Sequence, residues 1–100
     1  MRANFTVRDN VPERLACEAE IVFEEDVLAG MKLVGFSLWR SPEGGVYVTF
    51  PSRAFGAGND RRFFDYLRSV EGNATDAKRV KAWIVAAWEA QGKPGAPVAS

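Results

Sequence analysis

Three arginines, Arg53, Arg61 and Arg62, bracket the stretch Ala54-Phe55-Gly56-Ala57-Gly58-Asn59-Asp60. Guanidinium groups pair with phosphate oxygens through two parallel hydrogen bonds, and glycines let a backbone approach a nucleic acid closely. Lys78 and Arg79, at the start of a later helical pattern, would widen such a basic surface. The same side chains also read as solvated charges that keep the protein soluble, some paired with Asp60 or Asp65 in exposed ion pairs worth little. On the residues alone both readings stand. A second group is aromatic. Phe36, Trp39, Tyr47, Phe63, Phe64 and Tyr66 have faces on which unpaired bases could stack, although most of them are expected in the core. Trp39, Tyr47 and Thr49 fall opposite the apolar series of their strands. A face of that composition is a partner surface, here expected to be a dimer interface, or a second buried layer.

Other chemistry finds little support. Histidine is absent, which removes the commonest general base and the commonest metal ligand together. Carboxylates and one thiol are a poor donor set for zinc. Glu18, Glu20 and Glu24 share one strand face and read as its solvent side rather than as a catalytic pair. Gly56-Ala57-Gly58 lacks the lysine and the following helix of a phosphate-cradling loop. No catalytic residue, metal, cofactor or small-molecule substrate is expected. The single cysteine, Cys17, excludes an internal disulfide and sits at a core position of its strand.

A chain of 100 residues, 47% hydrophobic and 26% charged, is one globular domain. It is expected to occupy residues 1–91, with a loose tail over 92–100. No apolar run reaches the length of a membrane span, and the opening residues lack a signal peptide's apolar stretch, so a cytoplasmic protein is expected. Net charge is zero, yet residues 1–30 hold three arginines against seven acids, while residues 31–100 hold ten basic residues against six acids. That asymmetry permits a basic face on a neutral protein.

The elements follow from periodicity. Asn4–Val7 reads as a short strand. Leu15, Cys17, Ala19, Ile21 and Phe23 alternate with Ala16, Glu18, Glu20, Val22 and Glu24, the pattern of a half-buried strand. Residues 27–32 form a short helical turn or an irregular entry to the next strand, Leu33–Arg40, with Val34, Phe36 and Leu38 on one face and Trp39 on the other. Ser41-Pro42-Glu43-Gly44-Gly45 is a turn, and Val46–Phe50 returns as the second arm of an antiparallel hairpin. Pro51 ends that pairing. Ala54–Asp60 reads as a flexible loop. Arg61–Val70 fits either a helix, through Phe63, Phe64, Leu67 and Val70, or a strand with Phe64, Tyr66 and Arg68 on one face. Thr75 or Asp76 is the expected N-cap of a helix over Ala77–Gln91 with an apolar stripe of Val80, Trp83, Ile84, Ala87 and Trp88, closed by Gly92. Trp83 and Trp88 are expected to anchor the core. The fold class is therefore α+β: a small antiparallel sheet of three to five strands with a central hairpin, then a C-terminal amphipathic helix.

In this order the parts resemble the SpoVG family, the bacterial septation and stage V sporulation protein G group. The likeness runs from Leu15 to about Ala90. It is carried by Ala19-Glu20-Ile21-Val22-Phe23, Phe36-Ser37-Leu38-Trp39, Glu43-Gly44-Gly45, Val46-Tyr47-Val48-Thr49-Phe50, Pro51-Ser52-Arg53, Arg61–Ser69 and Asp76–Trp88. The resemblance implies a homodimer that binds DNA or RNA as a regulator rather than a catalyst. It places Arg53 at the first basic position after the Pro-Ser pair and favours a strand over Arg62–Arg68. Two departures stand out: Ala54 replaces the family's second basic residue, and Trp39-Arg40 stands where an acid usually precedes the turn.

Overall fold

The computed structural model describes residues 1–96. Six strands and one helix follow in the order β1 (Arg2–Thr6), β2 (Leu15–Val22), β3 (Lys32–Arg40), β4 (Val46–Thr49), β5 (Ser52–Phe55), β6 (Arg62–Asp65) and α1 (Ala74–Ala90). Strands β1 to β4 form an antiparallel sheet in sequential order, and β5 pairs only with β6 in a separate two-stranded ribbon. This is a small α+β fold, as the alternation of the first half and the helical stripe of the second require.

The helix lies on one face of the four-stranded sheet. Cys17, Ala19, Ile21, Phe36, Leu38, Val48 and Phe50 meet Ile84 and Trp88 in one buried cluster. Phe36, Leu38 and Ile84 are wholly removed from water, each contributing about 1.5–3 kcal/mol of transfer free energy. Trp88 is buried and Trp83 is half-buried against the same cluster. The Trp88 indole N–H donates to the carbonyl of Pro94 at 2.9 Å, so its polar edge is satisfied.

Two bulges alter the expected alternation. Gly35 is an extra residue between the Ala19–Phe36 and Glu20–Val34 pairs, with φ of 103°. It moves Val34 out of the Phe36/Leu38 face, leaving it 55% exposed, while Leu33 packs against the core instead. The bulge also admits Pro51, whose Cβ would lie 2.8 Å from a side chain at position 35. A second bulge at Ala16 sets Leu15 opposite Trp39, outside the core cluster.

The helix begins earlier than expected. Asn73, rather than Thr75 or Asp76, is the N-cap: its side-chain oxygen accepts from the Thr75 N–H at 2.9 Å. At the other end Gly92 takes φ of 87°, and the Lys93 N–H returns to the Trp88 carbonyl at 2.9 Å. Residues 93–96, expected to be loose, are tied to the body. The Arg40 guanidinium donates to the Gly95 carbonyl and to that of Glu13. Gly95 passes so close to the Ala16 carbonyl that no Cβ fits there. Residues 97–100 of that expected tail lie outside the described residues.

Candidate nucleic-acid interface

The loop expected over Ala54–Asp60 is a loop only from Gly56 onward: Ala54 and Phe55 belong to β5, and with β6 beyond the loop the chain makes a ribbon. Pro51 cannot continue the β4 ladder, and β5 starts at the next residue. The return is made by Gly56, at φ of 83°, whose missing Cβ would meet the Asp60 carbonyl at 2.5 Å. A single turn over Gly58–Asp60 then feeds β6. The ribbon's ladder closes at its base, where the Tyr66 N–H donates to the Pro51 carbonyl at 2.8 Å. The radius of gyration is 14.8 Å, against about 13 Å for a compact chain of this length. The ribbon is an arm.

Pairing register sorts its side chains. Arg53 lies opposite Phe64, and Phe55 opposite Arg62. Those four therefore share one face, in a checkerboard of two guanidinium groups and two rings. Phe55 and Phe64 meet edge to face at 5.3 Å between centroids, and the Arg53 guanidinium lies 4.8 Å above the Phe55 ring. Arg61 belongs to the other face, 5.2 Å from the Phe63 ring. Three arginines adjacent to one loop in sequence are thus divided two against one.

The remaining expected basic residues stand apart from the arm. Arg79 pairs with Asp76 at 3.0 Å on the first turn of α1. The carboxyl of Asp76 is held below the usual range, first by the hydroxyl of Ser69, which donates to it at 2.6 Å, and then by Arg79. Ser69 also accepts from the Asn73 N–H at 3.0 Å, so one hydroxyl ties the chain leaving the arm to the helix start. Arg79 shares the depression between these segments with Arg68, and Lys78 is exposed.

Phe63, Phe64 and Tyr66, expected mainly as core, are 65%, 48% and 63% exposed. Phe55 was not among the expected site residues, and Arg68 was expected only as a strand neighbour of Phe64 and Tyr66. Phe55, Phe64 and Tyr66 with Arg53, Asp65 and Arg68 line a surface depression of about 350 Å³ on the arm. The signal was present in the alternation of arginine and phenylalanine on both sides of Gly56, which matches neither a core strand nor a solvated one.

The Trp39/Tyr47/Thr49 group lies on the sheet face away from α1. Trp39 pairs with Tyr47 across β3 and β4, and its indole N–H donates to the Thr49 hydroxyl at 2.9 Å. Neither α1 nor the arm forms a second layer there, and Tyr47 is 47% exposed. The rest of that face is crossed by ion pairs, Arg8 with Glu18 and Lys32 with Glu20.

Comparison of the chain with family models, with curated proteins and with solved structures returned no match. The likeness to the SpoVG family therefore rests on the ordered residues quoted above. Among the described residues no helix is long and apolar enough to cross a membrane, and no three histidine, cysteine, aspartate or glutamate side chains are grouped as a metal site would need.

Proposed function

We propose that the chain is a cytoplasmic, SpoVG-like nucleic-acid-binding regulator of gene expression or septation, working as a homodimer and without catalytic chemistry. One observation carries this reading: the arm holds Arg53 and Arg62 on a single exposed face among aromatic rings, clear of the core. Guanidinium groups in that setting bind phosphate oxygens without breaking any ion pair of the body. The zero net charge makes non-specific attraction weak, so two copies of the arm in one dimer would raise avidity. What supports the dimer is the sheet face of Trp39, Tyr47 and Thr49, over which neither α1 nor the arm lies and where Tyr47 is 47% exposed, so pairing there leaves the rings of the arm accessible.

Titrating labelled DNA and RNA with protein over a salt series tests the reading. Affinity should fall steeply with salt. The double variant Arg53→Ala/Arg62→Ala should bind more weakly, with a shallower log–log slope by about 0.7–0.9 per lost phosphate contact. A folded double variant that binds like the parent would sink the assignment.

A second reading comes from the open Trp39/Tyr47/Thr49 face, which suits a protein-interaction module without nucleic-acid binding. In that case Tyr47→Ala abolishes association measured by light scattering, and removing the arginines changes nothing.

A further inference from the structure

Resting on the nucleic-acid reading above, we infer that the Arg53/Phe64 face of the arm takes single-stranded nucleic acid, stacking unpaired bases on its rings. Phosphate binding alone does not account for the face. Phe55 and Phe64 are 45% and 48% exposed and Tyr66 is 63% exposed, close together on one side of a ribbon. A double helix keeps the faces of its bases stacked inside, so phenylalanine rings gain nothing from it without wedging steps apart. A ribbon in the major groove reads base edges through hydrogen bonds, and neither phenylalanine offers one. An unpaired strand presents both things the face can use: base faces for the rings and phosphates for the guanidinium groups.

The geometry gives the rings a defined place to receive a base. The edge-to-face pair at 5.3 Å holds Phe55 and Phe64 at 75° to each other, and Arg53 covers one side of Phe55 at 4.8 Å. Phe64 and Tyr66 then border the depression of about 350 Å³, with Arg68 on its wall. Asp65 is the one acid in that lining, against two arginines. The local balance is positive although the chain is neutral.

Fluorescence anisotropy with three labelled probes of equal length tests this with the full chain. The probes are an oligothymidylate, the same strand paired in a duplex, and an abasic strand carrying the phosphates without bases. The oligothymidylate should bind at least about tenfold more tightly than either of the others. Phe64→Leu, which keeps an apolar side chain and removes the ring, should weaken that binding about fivefold or more. It should leave duplex and abasic binding where they were, whereas Arg53→Ala weakens all three. Phe64 lies outside the core cluster, so circular dichroism of the variant should match the parent. Equal affinity for the three probes, lost with Arg53, would overturn the inference and leave the broader nucleic-acid reading standing. No binding at low salt would overturn both. A Phe64→Leu protein that binds every probe normally but sediments as a smaller species would assign the rings to a protein interface instead.

Discussion

Two edge-to-face phenylalanine pairs divide this molecule. In the body, Phe36 and Phe50 meet at 5.6 Å and 84°, and are 0% and 7% exposed. In the arm, Phe55 and Phe64 meet at 5.3 Å and 75°, yet each keeps almost half of its surface in water. The local geometry is nearly the same. What differs is the covering layer: α1 brings Ile84 and Trp88 onto the first pair, while the second pair has only the depression beside it. Aromatic pairing is thus a poor guide to where a core lies. A ring left half exposed beside arginines, on a ribbon with no layer over it, is a surface kept for something else.

The contrast can be broken most severely from the body side. Phe36→Ala should destabilise the fold by about 3–5 kcal/mol, read as a lower midpoint in urea unfolding. Phe64→Ala should change the midpoint by less than about 0.5 kcal/mol in equivalent terms. Equal losses at the two positions would show that the arm packs as a second core, and would remove the reason to seek a ligand for it.

A smaller effect is expected at the junction. Asn73 caps α1 next to the Ser69–Asp76 contact that ties the arm's return to the helix. Asn73→Ala should cost about 1 kcal/mol. In hydrogen exchange the loss should show first in the opening turn of α1, with β2 and β3 unaffected. Exchange rising instead throughout the sheet would mean that the arm and the helix start unfold with the body as one unit.

The gentlest probe is pH. Burial pushes the Cys17 thiol up from an ordinary 9.0 to about 11, against the opposing influence of Arg40 and the Trp88 side chain. Because the folded value is the higher one, its contribution to stability is complete below 9 and is lost as pH climbs towards 11. Native protein at neutral pH should therefore react slowly with a maleimide, and unfolded protein quickly. Fast labelling of the native state would place Cys17 nearer the surface than its 1% exposure.

Much of the body was legible in the residues. The alternation from Cys17 onward and the stripe ending at Trp88 each bury one face by a fixed period, and the Pro42-Glu43-Gly44-Gly45 stretch turns the chain where expected, so local pattern and final position agree. Val34 was misplaced because period two assumes an unbroken ladder. The Gly35 bulge inserts one residue and reverses every side chain before it. The tail misled for a different reason. Pro94 and Gly95 carry no apolar pattern, and they are held through their backbone carbonyls by Trp88, six residues before Pro94, and by Arg40, 55 residues before Gly95.

The arm was the least legible part, and the candidate site with it. Phe63, Phe64, Leu67 and Val70 satisfy a helical stripe, while Arg53, Phe55, Arg62 and Phe64 satisfy a ribbon. Periodicity over so short a stretch cannot choose between them. The sequence by itself determined which residues are basic, which are aromatic and where the chain must turn, because those properties belong to single side chains and to Gly and Pro backbones. Only the tertiary structure decided that Arg53 and Arg62 share a face with two rings while Arg61 does not. That follows from the cross-strand register, set when Gly56 folds back on the Asp60 carbonyl. Helix α1 packs over β1 to β4 and leaves the ribbon uncovered, and the rings of the arm stay in water for want of a second layer.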